Sequence, residues 1–149
     1  MPDPITVSVA RHFAAPQERV FDSWLDSDSA KHWLFATDTG ENVHAEIDAR
    51  VGGQFLITDR RKGEDVEHHG TWLAIDRPRQ LEFTYVAGDP KGESSRVIVH
   101  IVPTESGCEL TLTHVMSPKW ADFREHSAQA WTSMLAGLAR DIDGPWATA

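Results

Sequence analysis

"KWADFREHSAQAWTSMLAGLARDI", residues 119–142, contains no proline and decides the fold. Phe123, Ser127, Ala130, Trp131, Met134, Leu135, Leu138 and Ile142 recur at steps of three and four residues. That spacing predicts one amphipathic helix over the whole stretch, with an apolar stripe that must be covered. What covers it is sought in the rest of the chain.

Working back, residues 41–115 change period from 3.6 to two. "ENVHAEID" turns Val43, Ala45 and Ile47 to one side and His44, Glu46 and Asp48 to the other. "VGGQFLIT" carries Phe55 and Ile57 after a paired-glycine turn, and "HGTWLAID", "QLEFTYV", "SRVIVHIV" and "CELTLTHV" complete six predicted strands. "RRKGED", "DRPR", "AGDPKGES" and "PTESG" punctuate them as antiparallel hairpins would. Gly70, inside a strand pattern, marks a bulge, a bend or a close backbone approach; Gly52 and Gly53 suit a turn. At the other end, "ITVSVARHF" (5–13) alternates with Ile5, Val7 and Val9 on one face. Two short helices follow. Val20, Phe21, Trp24 and Leu25 form the stripe of the first, begun at Pro16. Ala30, Trp33 and Leu34 form that of the second (27–35), with Ser27, Asp28 or Ser29 as its cap. The expected fold is therefore α+β in the order β-α-α-β6-α, one domain over residues 1–149, without repeats or linkers.

Bulk properties narrow the function. A chain of 149 residues with 40% hydrophobic and 25% charged residues buries a core without disulfides. One cysteine, Cys108, excludes an internal disulfide framework, and the N-terminus lacks a signal-peptide pattern, so a cytoplasmic protein is expected. No apolar run is long enough to span a membrane. The net charge of −9 repels phosphate backbones and argues against nucleic acid. The single basic cluster, "DRRKGED" (59–65), is flanked by acids and reads as a solvated hairpin tip.

Chemical motifs are sparse. No H-E-x-x-H, C-x-x-C or H-x-H occurs, and no nucleophile elbow, dinucleotide or P-loop pattern, so neither metal nor cofactor is expected. His68 and His69 are adjacent, so on a strand they face opposite ways and cannot chelate together. They read as the lead into a strand, one on each side. His114 shares a face with Cys108, Leu110 and Leu112. It is either a polar handle for a ligand or a buried histidine bonded to a backbone carbonyl. Six tryptophans are present, and Trp24, Trp33, Trp72 and Trp131 fall at inward positions, suited to filling a core or walling a pocket.

Taken in order, "APQERVFDSWLDSDSAKHWLF", "DARVGGQF", "HGTWLAIDRPRQLEFTY", "SSRVIVHI", "GCELTLTH" and "AWTSMLAGL" resemble the START-like, or SRPBCC, superfamily. More narrowly they resemble the branch named after the C-terminal domain of the heat-shock-chaperone ATPase activator. The most specific pieces are D-x-R-x-G-G-x-F at 48–55 and G-x-[aromatic]-x-x-I-D-x-P at 70–78. The resemblance implies a helix-grip fold, a curved antiparallel sheet wrapped around the C-terminal helix with an internal cavity. It also implies that Trp33, Phe55, Trp72, Phe83, Trp131 and Leu135 line that cavity. Ala130 departs from the glycine often found before the helix tryptophan, and its methyl narrows the space expected there. The chaperone-activating proteins carry a separate N-terminal domain that this sequence lacks, which counts against a chaperone partner.

Three functions are compatible with this reading. The first is a binding protein for a hydrophobic or amphipathic small molecule, oriented by His114; an apolar probe should then depend far more on Trp131 than on His68. The second is a polyketide-cyclase-like enzyme using the same cavity, which a buried carboxylate or tyrosine beside His114 would favour. The third is a protein-interaction module, as monomer or homodimer, with an exposed apolar patch and Trp146 in "DGPWATA" as a candidate anchor.

Overall fold

A computed structural model describes residues 4–35, 40–61, 63–87 and 94–142. Trp146, Lys62 of the basic cluster and most of "AGDPKGES" lie outside the described residues. Strand β1 (Ile5–Phe13) leads into helices α1 (Gln17–Leu25) and α2 (Ser27–Trp33). Strands β2 (Gly40–Ile47), β3 (Gln54–Arg61), β4 (Glu64–Asp76), β5 (Gln80–Ala87), β6 (Ser95–Thr104) and β7 (Gly107–Met116) follow, and helix α3 (Arg124–Ile142) comes last. The strands pair antiparallel in one seven-stranded sheet of order β1-β7-β6-β5-β4-β3-β2. This is the expected helix-grip α+β fold.

Alternation explains the strands. In β7, Cys108, Leu110, Leu112, His114 and Met116 are buried while the residues between them face outward. Register shifts at Asn42/His44 and at Trp72/Ala74 insert bulges, which raise local twist and let the sheet curl toward the helices. Against that face α3 lays Trp131, Met134, Leu135, Leu138 and Ile142. Its C-terminal end is fastened to the short helices. Asp141 accepts from Ser29 Oγ at 2.7 Å and pairs with His32 Nδ1 at 2.6 Å, and Arg19 donates to the Ile142 carbonyl at 3.2 Å.

Several boundaries differ from expectation, each for a local reason. The second helix is capped by Asp26, whose carboxylate accepts from the Asp28 N–H at 3.0 Å, because α1 runs to Leu25 and leaves only this residue between the helices. Strand β4 begins at Glu64 and not near His69, since its polar first half pairs with Thr58–Arg61 of β3. The final helix does not start at Lys119. Pro118–Phe123 form a 3-10 helix, with Trp120 N–H bonded to the Ser117 carbonyl at 3.0 Å. Its tighter winding rotates Phe123 off the buried stripe, leaving it 51% exposed. Within "DRRKGED" the exposed Arg60–Asp65 pair is solvated, but Asp59 is fully buried.

Gly70 is a close approach. A Cβ there would fall on the Thr84 carbonyl and on the edge of the Phe55 ring. Gly70→Ala is expected to cost about 1–3 kcal/mol through forced repacking, seen as a lower urea midpoint at unchanged slope.

Candidate ligand-binding cleft

The inward rows of the central strands are apolar for most of their length and change character at one end. Along β7, Leu110 and Leu112 give way to His114 and Met116; along β5, Leu81 and Phe83 give way to Tyr85. Along β6 the change runs from Val99 and Val97 to Ser95, and along β4 from Trp72 to His68. Antiparallel register gathers these ends, pairing Val97 with His114 and Ser95 with Tyr85. The N-terminal half of α3 and the 3-10 helix stand over them. Between the two lies a cleft of about 670 Å³, within the ~300–1,000 Å³ range of small-molecule sites.

His114, only 4% exposed, is the polar centre of the cleft. Trp131 Nε1–H donates to its Nδ1 at 3.1 Å. An indole N–H only donates, so Nδ1 is the acceptor and the neutral ring carries its hydrogen on Nε2. That hydrogen is donated to Ser95 Oγ at 2.6 Å. Burial pushes the imidazole from its ordinary 6.5 down to about 4. Protonation would also set an Nδ1–H against the Trp131 N–H. Ser127 Oγ lies 3.4 Å from Nδ1. His114 thus has side-chain partners and not the backbone carbonyl considered from the sequence.

One wall is aromatic. Phe35 lies nearly parallel to His68 and to Tyr85, each at 4.7 Å between centroids, and meets Trp131 edge-on at 5.8 Å. Its backbone sits at φ 61°, a strained position for a bulky residue. The stacked rings and a bond from its N–H to Met134 Sδ at 3.0 Å hold it there. His68 is itself held by donating from Nδ1 to the Ile57 carbonyl at 3.3 Å. Trp120 and Phe123, packed edge-on at 5.4 Å, stand at the mouth.

Of the residues expected to line a cavity, the structure places His114 and Trp131 in the cleft. Trp33, Phe55, Trp72, Phe83 and Leu135 are fully or nearly fully buried in the core beside it and do not line it. They interlock: Trp24 meets Trp33 edge-on at 4.8 Å, and Phe83 packs against Trp72 at 5.1 Å and Phe55 at 5.5 Å. Large rings thus fill the space under the C-terminal half of α3, and the open volume is displaced toward its N-terminal half. Phe35, Tyr85 and Ser95 carry no site expectation from the sequence, and Ser127 only a place on the stripe of the final helix. A signal existed for two of them: Tyr85 continues the inward row of Leu81 and Phe83 on β5, and Ser95 that of Val99 and Val97 on β6. His68 and His69 lie on opposite faces of β4 as expected, but inside the strand and not at its lead: His68 is the buried member, and His69 is partly exposed, 3.9 Å from Glu67. Among the described residues no group of three or more His, Cys, Asp or Glu side chains is placed to hold a metal, and no helix is long and apolar enough to cross a membrane.

An antiparallel sheet gripping a C-terminal helix, open at one end of the grip, defines a helix-grip protein of the START-like type. The family model for Activator of Hsp90 ATPase homolog 1-like protein matches residues 14–142, and the chain belongs to that family. Solved structures agree in fold. A protein from Chromobacterium violaceum is 24% identical with a TM-score of 0.81, the match covering 93% of this chain and 96% of that one. An AHSA1-like protein from Aeromonas hydrophila is 20% identical at TM-score 0.78, covering 93% and 92%. A protein of unknown function from Staphylococcus aureus is 17% identical at 0.82, covering 95% and 94%. At these identities the likeness is one of fold. No curated protein matches the sequence.

Proposed function

We propose that the protein binds an apolar or amphipathic small molecule in the cleft between the sheet and the N-terminal half of α3. The observation that carries this reading is the cleft itself: about 670 Å³, walled by Phe35, Tyr85, Met116 and Trp131, with a buried hydrogen-bonding corner at His114. Apolar walls combined with placed polar groups are how small ligands are held and oriented. Burying ~200–300 Å² of ligand apolar surface at ~25 cal/mol/Å² supplies on the order of 5–7 kcal/mol before association costs.

Ala130 faces the cleft and is only partly buried, so a larger side chain there enters open volume without emptying the core. Ala130→Phe is expected to weaken a neutral apolar dye such as Nile red by about tenfold or more through lost volume, with little change in thermal stability. Equal affinity in both proteins would overturn the reading. Native mass spectrometry of protein purified from its own host is expected to show a co-purified small molecule.

A catalytic reading draws on one observation: the Tyr85 ring lies edge-on to His114 at 5.9 Å. Yet His114 presents Nε2–H to Ser95 and has its Nδ1 lone pair taken by Trp131. In that tautomer it has no free base position to offer a substrate, and the binding reading is preferred.

A further inference from the structure

The polar corner holds two hydroxyl hydrogens that its own bonds leave weakly used. Ser95 Oγ accepts the short bond from His114 Nε2–H, and among the described residues its own hydrogen has only the Tyr85 carbonyl at 3.4 Å. Ser127 Oγ lies 3.4 Å from His114 Nδ1, whose single lone pair already accepts from Trp131. Both serines line the cleft, one on a strand and one on α3, at the two nitrogens of one imidazole. Each therefore has a donor to offer an acceptor that enters the cleft. Around them the described lining residues include no Lys, Arg, Asp or Glu. A bound carboxylate in the corner would lose hydration with no lysine or arginine among the described lining residues to replace it, in a protein of net charge −9.

Resting on the cleft as the binding site, we infer that Ser95 and Ser127 select uncharged ligands that carry a carbonyl oxygen on an apolar body. A hydroxyl donates to that oxygen, and the imidazole between the two serines, locked by Trp131, fixes where Ser95 can point. A burial-lowered basicity keeps that imidazole uncharged near neutral pH, so it offers an anion no counter-charge.

Three probes of one shape separate the possibilities: 2-acetonaphthalene, its alkene isostere 2-isopropenylnaphthalene, and 2-naphthoate, titrated at pH 7 by protein-observed NMR. The ketone is expected to bind about 3–10-fold tighter than the alkene, the worth of one net hydrogen bond. It should also exceed the naphthoate by at least about tenfold because the anion is stripped of water uncompensated. Ser95→Ala and Ser127→Ala are expected to reduce ketone affinity while leaving the alkene unchanged. The alkene thereby reports that each variant keeps its cleft. Equal binding of ketone and alkene, or naphthoate bound tightest, overturns the selectivity while the cleft stands as a binding site. Binding of none of the three overturns the cleft reading and this inference together.

Discussion

Trp131→Ala is expected to cost about 3–5 kcal/mol of folding stability, the range for emptying a large buried aromatic site. Trp131 joins the two halves of the interior. Its ring packs against Trp24 at 6.4 Å on the filled side and against Phe35 at 5.8 Å and His114 at 5.9 Å on the open side. Its N–H is also the donor that sets the His114 tautomer. Urea unfolding measures the loss, and Trp131→Phe separates its parts by keeping a ring while removing the N–H. That variant should lose about 1–3 kcal/mol, as the buried Nδ1 exchanges its Trp131 donor for the longer contact to Ser127 Oγ. Neutral apolar probes should bind Trp131→Ala much more weakly. His68→Ala is expected to weaken them as well, against the contrast drawn from sequence, because the His68 ring supports Phe35 in its strained conformation. Unchanged binding in His68→Ala would show that the Phe35 wall does not depend on that stack.

Acid is expected to destabilise the fold through His114. Its folded value of about 4 lies below the ordinary 6.5, so between these limits the unfolded chain takes a proton that the folded chain refuses. The stability owed to the neutral ring is fully present above pH 6.5 and is lost as pH falls through that window. A displacement of this size corresponds to about 3 kcal/mol, because each pH unit is worth about 1.4. His114→Gln keeps an acceptor for Trp131 and a donor for Ser95 but does not titrate. The difference in stability between pH 7 and pH 4 should shrink in that variant by about the same 3 kcal/mol. Direct observation of imidazole nitrogens by NMR should find His114 neutral at pH 5.5. A charged His114 at that pH would sink the tautomer argument and the neutral corner built on it.

The cleft was only partly legible in the sequence. Trp131 and His114 were found because a long helix stripe and a strand alternation each single out an inward face. Periodicity reports which way a side chain points but not how far along the strand the neighbouring helix covers it. Trp33, Phe55, Trp72, Phe83 and Leu135 satisfy the same inward rule as Trp131, yet they interlock into solid core. Ser95 looks like a strand-edge residue, and Ser127 like a small member of the helix stripe, until β5, β6, β7 and α3 are brought side by side. Phe35 was assigned to the end of a helix, whereas the chain leaves the helix at Trp33 and turns the ring into the cleft.

Hydrophobic patterning alone determined the α+β class and the order of one strand, two helices, six strands and a long helix. Those follow from the 3.6 and 2.0 periods of local backbone geometry, which a linear sequence displays directly. Tertiary structure alone decided where the interior is filled and where it is open. That depends on the volumes of rings from α1, α2, β3, β4, β5 and α3 meeting in one place, and on a register that lines up the polar ends of four strands. Packing is a sum over residues far apart in the chain, so no local window of sequence contains it.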